Sequence, residues 1–189
     1  MFSFLAGVLM GQTKGIWMHP NKGQWDSRIA SKVPLINGDL LVLNDGFGFV
    51  FNDVSDRLHQ HDHQEPERSI VENESDYLGH FITQRLIGAQ QEGAFVYKEF
   101  SNSYSNYFLG KDPSQWKSKV YSAQAAEKLN VLEGIDWSLS SKNNRFNYSF
   151  EVAPNAKAEA IRFLIEGADS ILMTKEGSLR IHHRFGFID

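Results

Sequence analysis

The chain has 189 residues and no cysteine, which excludes disulfides, thiolate catalysis and cysteine-based zinc sites. With 41% hydrophobic and 13% aromatic residues it can bury a core in one large domain, while 22% charged residues is ordinary for a globular chain. A formal net charge of -4 gives no basic excess for a polyanion, so nucleic acid is excluded as the expected partner.

The chain opens on "MFSFLAGVLMGQ", an apolar run ending in small and polar residues. It is too short to span a bilayer, which needs ~20 apolar residues. It reads as the apolar part of a signal peptide over residues 1–12, short of its basic start, with cleavage near Gly11 or Gln12. A buried N-terminal strand is the competing reading. Residues 13–189 are then one domain, C-terminally incomplete if the gene continues, and the expected address is extracellular or cell-surface.

Short apolar runs separated by turn residues follow. A strand is predicted over 28–35. "DLLVLNDGFGFVF" predicts a hairpin about Asn44, Asp45 and Gly46, because glycine takes a positive φ cheaply. Residues 52–76 are polar and acidic and read as a long surface loop. Strands are predicted over 78–87, 94–100 and 118–124. Ser122 to Asn130 holds good helix formers, but an isolated helix that short is marginal. In "IDWSLSSKNNRFNYSFEV", Ile135, Trp137 and Leu139 alternate with polar residues, as do Phe146, Tyr148 and Phe150, which predicts a second hairpin about Lys142, Asn143 and Asn144. "NAKAEAI" after Pro154 can form one helical turn. The last stretch gives three strands, broken at residues 166–169 and at Glu176-Gly177. The expected fold is an all-β, antiparallel sandwich of about ten short strands with a long polar loop.

Candidate sites are few. His59, His61 and His63 would project to one side of an extended segment and can ligate zinc, copper or nickel, against a solvated loop as the plain reading. His182 and His183 lie in a predicted strand, so they face opposite sides. Trp116, Tyr107 and Tyr104 are the speculative ligand-binding residues, with Trp17, Trp25 and Trp137 as further candidates for stacking on sugars; the competing role of such rings is core packing. Asp26, Glu133, Asp136 and Asp169 are available carboxylates, but nothing marks a glycosidase pair. Nucleophile-elbow, zincin, P-loop and dinucleotide motifs are missing, so no enzyme activity and no cofactor are expected. In "NYFLGKDPSQWKSKV", Asp112 can cap a helical turn that Pro113 starts, Gln115 takes the capping-box position, and Trp116 can fold back as a plug: a rigid corner.

That stretch, with "NKGQWDSRIASKVPLINGDLLVLNDGFGFVF" before it and "LEGIDWSLSS", "FNYSFEVAPNA" and "IEGADSILMTKEGSLRI" after it, resembles the N-terminal β-domain of large surface and secreted proteins of Bacteroidetes-type bacteria. The resemblance covers about residues 20–189. It implies an extracellular scaffold or interaction domain, followed in such proteins by β-propeller-like or adhesive repeats and a gliding-motility-associated type IX secretion sorting domain. It carries over no catalytic residue. The leading expectation is therefore a non-enzymatic structural or interaction module of an adhesion- or gliding-associated protein, with other surface-protein domains or extracellular glycans as partners and no transmembrane segment. The alternative is a carbohydrate-binding or carbohydrate-processing sandwich.

Overall fold

The computed structural model describes residues 2–4, 15–52, 79–142 and 145–189, which form three antiparallel sheets. The first runs in the order β1 (Phe2–Phe4), β10 (Arg145–Val152), β9 (Ile135–Lys142), β8 (Lys117–Leu132) and β7 (Val96–Tyr107). The second runs β11 (Phe163–Glu166), β6 (Gly79–Leu86), β5 (Gly46–Asn52), β4 (Gly38–Leu43), β3 (Ile29–Leu35) and β2 (His19–Pro20). The third is small: β12 (Ser170–Met173), β13 (Leu179–His183) and β14 (Gly186–Ile188).

The two large sheets are hydrophobic on the faces that meet. On β9, Ile135, Trp137 and Leu139 are buried; on β10, so are Phe146, Tyr148 and Phe150. Opposite them lie Val33 on β3, Leu40 and Val42 on β4, Phe47 and Phe49 on β5, and Ile82 and Leu86 on β6, all in one core. The Phe47 ring meets Trp137 edge-on at 5.1 Å and Phe146 at 5.8 Å. Offset and edge contacts of this kind add to the large apolar area that aromatic side chains bury. The sandwich and both predicted hairpin faces are thus present, and Arg145 pairs with Lys142 across the second hairpin.

Several elements depart from the sequence pattern. The described residues form fourteen strands rather than about ten, and two are long: 12 residues in β7 and 16 in β8. The helix formers of 122–130 lie inside β8. Val120, Ser122, Ala126 and Lys128 are buried there while Tyr121 and Leu129 are exposed, and ladders to both β7 and β9 outweigh a helix preference of a few tenths of a kcal/mol per residue. The stretch after residue 160 makes four strands, with a further turn before β14. The predicted turn after Pro154 is a short 3-10 turn, Ala158–Ala160.

Backbone and side-chain contacts tie the sheets together. β2 pairs with β3, while the adjoining Met18 exchanges two backbone hydrogen bonds of 2.9 and 2.8 Å with Ala123 of β8. Beyond this tie the β7–β8 hairpin runs on to its tip. The third sheet docks on the second through the His183 ring, stacked on Phe51 at 3.8 Å, with His80 Nε2 2.6 Å from the Gly167 carbonyl. His183 is buried and its neighbour His182 is not, as their opposite strand faces require.

Candidate functional site

The outer face of the second sheet carries a groove of about 300 Å³, at the small end of the range for ligand pockets. In β5 the sequence reads Gly46-Phe47-Gly48: the phenylalanine turns into the core, and neighbouring groups close over the two glycines. A Cβ on Gly48 would lie 2.9 Å from the Phe81 ring, and one on Gly46 would lie 2.1 Å from the Gln84 carbonyl oxygen. Leu41, Leu43 and Ile29 line one wall, Phe81, Thr83 and Arg85 the other. The Phe81 ring is half exposed.

The polar end is built on the β4–β5 turn. Asp45 is buried, and its Oδ2 accepts from the Arg85 guanidinium, with the Nε contact at 3.0 Å, and from Gln91 Nε2 at 3.4 Å. Leu86 N–H donates to the Asp45 carbonyl at 2.7 Å. Gly46 is not in the left-handed region, nor are Asn44 and Asp45. Glycine at position 46 is therefore required by the approach of β6, not by the positive φ expected of an Asp-Gly hairpin. The Arg85–Asp45 ion pair holds the guanidinium pKa above its usual value, chiefly through the side-chain hydrogen bonds. Arg85 commits two of its five N–H groups to Asp45, leaving donors toward the groove.

Two side chains fix this frame from beneath and beside. Lys128 reaches across from β8, fully buried, and its Nζ donates at 2.9 Å to the carbonyls of both Asn44 and Gln90. It pins the turn that carries Asp45 to the loop that carries Gln91. Burial pushes its amine pKa down. At the other end, Asn21 Nδ2 donates to the carbonyls of Trp25, Asp26 and Ile29, at 3.2, 2.9 and 2.8 Å, and its Oδ1 accepts from Gly23 N–H. That knot presents Asp26 and Arg28 at the mouth. Their paired hydrogen bonds of 2.9 and 3.0 Å lower the Asp26 pKa to about 2.

The aromatic candidates singled out in the sequence lie elsewhere. Trp116 and Tyr104 are exposed near the tip of the β7–β8 hairpin, whereas Tyr107 is half-buried, edge-on to Trp25 at 5.1 Å with its hydroxyl 3.2 Å from His19 Nδ1. They do not form one platform: Tyr104 pairs with Tyr121, and Trp116 with Phe108. Trp137 is core; Trp17 and Trp25 are half-buried. His59, His61 and His63 lie outside the described residues. Of the four carboxylates considered, Asp26 lines the groove; Asp136 accepts from Asn130 N–H at 2.7 Å on β9, and Glu133 and Asp169 sit in turns of other sheets. Phe81, Arg85 and Gln91 of the groove, and Lys128 beneath it, belong to no chemical motif of the sequence. The available signal was Gly-x-Gly inside a strand, where missing side chains denote close approach of backbone or ligand.

A family described as a domain of unknown function, DUF7948, matches residues 18–189. No curated protein and no solved structure matches the chain.

Proposed function

We propose that this chain, which belongs to the DUF7948 family, is a non-enzymatic binding module of a secreted or cell-surface protein, and that its groove takes a glycan. The observation that carries this reading is the half-exposed Phe81 ring in one groove with the planar Asp45, Arg85 and Gln91 groups. A sugar offers an apolar C–H face to such a ring and hydroxyls to such groups. Planar, charge-assisted partners give those contacts direction. The frame is fixed before any ligand arrives, by Lys128 and Asn21, which lowers the ordering cost of binding. Asp26, paired with Arg28 and held ionised, offers a hydrogen-bond acceptor to sugar hydroxyls at the mouth. The sequence resemblance supports an extracellular address and a place in an adhesion- or gliding-associated protein.

The test is titration of the purified chain against neutral and acidic oligosaccharides, with Phe81→Ala and Arg85→Gln beside it. Binding that falls tenfold or more in both variants, with folding retained, is expected. A folded protein that binds no glycan, or whose binding ignores both substitutions, refutes the reading. Hydrolysis of a bound glycan abolished by one substitution refutes its non-enzymatic part.

A further inference from the structure

The tip of the β7–β8 hairpin combines three features that the groove does not use. Its apolar side chains are bare: Phe108 is 62% exposed, Leu109 46% and Trp116 41%. No residue from Phe108 to Trp116 is buried, so none of them holds the core.

The tip is nevertheless held in one shape. Asp112 accepts from Ser114 N–H at 2.9 Å and from Ser114 Oγ at 2.8 Å, capping the 3-10 turn Pro113–Gln115. Gly110 takes φ +71°, and Trp116 Nε1 donates to its carbonyl at 3.4 Å. The Phe108 and Trp116 rings meet edge-on at 5.3 Å. Where the hairpin narrows, Lys119 N–H donates to Asn106 Oδ1 at 3.0 Å. The expected corner is thus present, but its plug faces solvent instead of the sheet.

The third feature is charge. Lys111 lies in the tip and Lys119 where the hairpin narrows, while Lys117 reaches toward Gly23; the one acid of the tip, Asp112, has its carboxylate taken up by the cap. The same hydrogen bonds lower the Asp112 pKa, so it stays ionised at neutral pH. The local excess is positive on a chain whose net charge is -4.

We propose that this tip docks on an anionic lipid surface, with Phe108, Leu109 and Trp116 entering the interface and the lysines meeting the headgroups. Tryptophan and phenylalanine favour the boundary between headgroup and acyl chain, and an apolar wedge with a basic rim matches it in depth and charge. A protein partner with an apolar socket would not by itself require the basic rim.

The experiment uses the full chain and vesicles of phosphatidylcholine, alone or with phosphatidylglycerol. Sedimentation with the mixed vesicles and a blue shift in tryptophan emission are expected, both weakening as salt rises. Trp116→Phe removes the blue shift. Lys111→Gln with Lys119→Gln lowers partitioning by roughly 25-fold, from a factor of about five per lysine. Phe108→Ser with Leu109→Ser abolishes it at an unchanged unfolding midpoint. No partitioning into anionic vesicles overturns the proposal, as does equal partitioning into neutral ones. So does a concentration-dependent dimer that the Phe108→Ser, Leu109→Ser variant dissolves, because the occupant is then a second copy of the chain.

Discussion

Substituting alanine at Gly46 and at Gly48 separates two reasons for a glycine in a strand. At Gly46 the new Cβ would sit 2.1 Å from the Gln84 carbonyl oxygen and 2.8 Å from Arg85 Cα, both main chain. Ordinary contact begins at 3.4 Å, so β5 and β6 must part by roughly 1.3 Å. That displacement breaks ladder bonds beside the Asp45 turn, including the 2.7 Å bond from Leu86 N–H. Overpacking and one lost buried hydrogen bond together cost about 3–4 kcal/mol. The Tm should fall by about 6–15 °C. At Gly48 the nearest atom is Cε2 of Phe81, 2.9 Å away, the far end of a half-exposed ring that can swing. The cost there is below ~1 kcal/mol and is offset by removing a glycine from a strand. The Tm should stay within about 3 °C, while the added methyl narrows the groove and weakens glycan binding. Thermal unfolding by circular dichroism reads both variants. A Gly46→Ala protein as stable as the parent, or equal losses in the two, refutes the packing argument.

Trp137→Ala should cost about 3–5 kcal/mol, whereas Trp137→Phe should cost under about 1.5 kcal/mol, because the buried indole N–H has no partner among the described residues and its removal offsets lost volume; urea unfolding compares them. Lys128→Met leaves the Asn44 and Gln90 carbonyls without their buried donor, costing about 3 kcal/mol, and should weaken glycan binding by loosening the Asp45 turn. His19 and His183 are held below their ordinary pKa of 6.5, first by burial, so the unfolded chain takes up protons before the folded one. Their contribution is complete above pH 6.5 and declines as pH falls through the folded values. Urea midpoints measured from pH 7.5 to 5 should fall in that window, and His183→Phe should flatten part of the decline; an unchanged slope would contradict the burial argument.

Sequence alone determined what local periodicity can report. The alternation in "IDWSLSSKNNRFNYSFEV" fixed which residues of β9 and β10 face the core, because side chains on a strand alternate with period two whatever lies opposite. The Asp112-Pro113 cap was equally legible, since donor and acceptor lie two residues apart. Tertiary structure decided the rest. The 122–130 stretch became strand because partners from β7 and β9 complete its hydrogen bonds, and no local signal encodes them. The hairpin plug faces outward because the tip runs past the tie between Met18 and Ala123, leaving the Phe108 and Trp116 rings at the surface. The groove joins Asp26, Asp45, Phe81, Arg85 and Gln91, separated by up to 65 positions along the chain. Pairing of β3, β4, β5 and β6 brings them to one face, and Lys128, from the opposite sheet, joins the turn that carries Asp45 to the loop that carries Gln91.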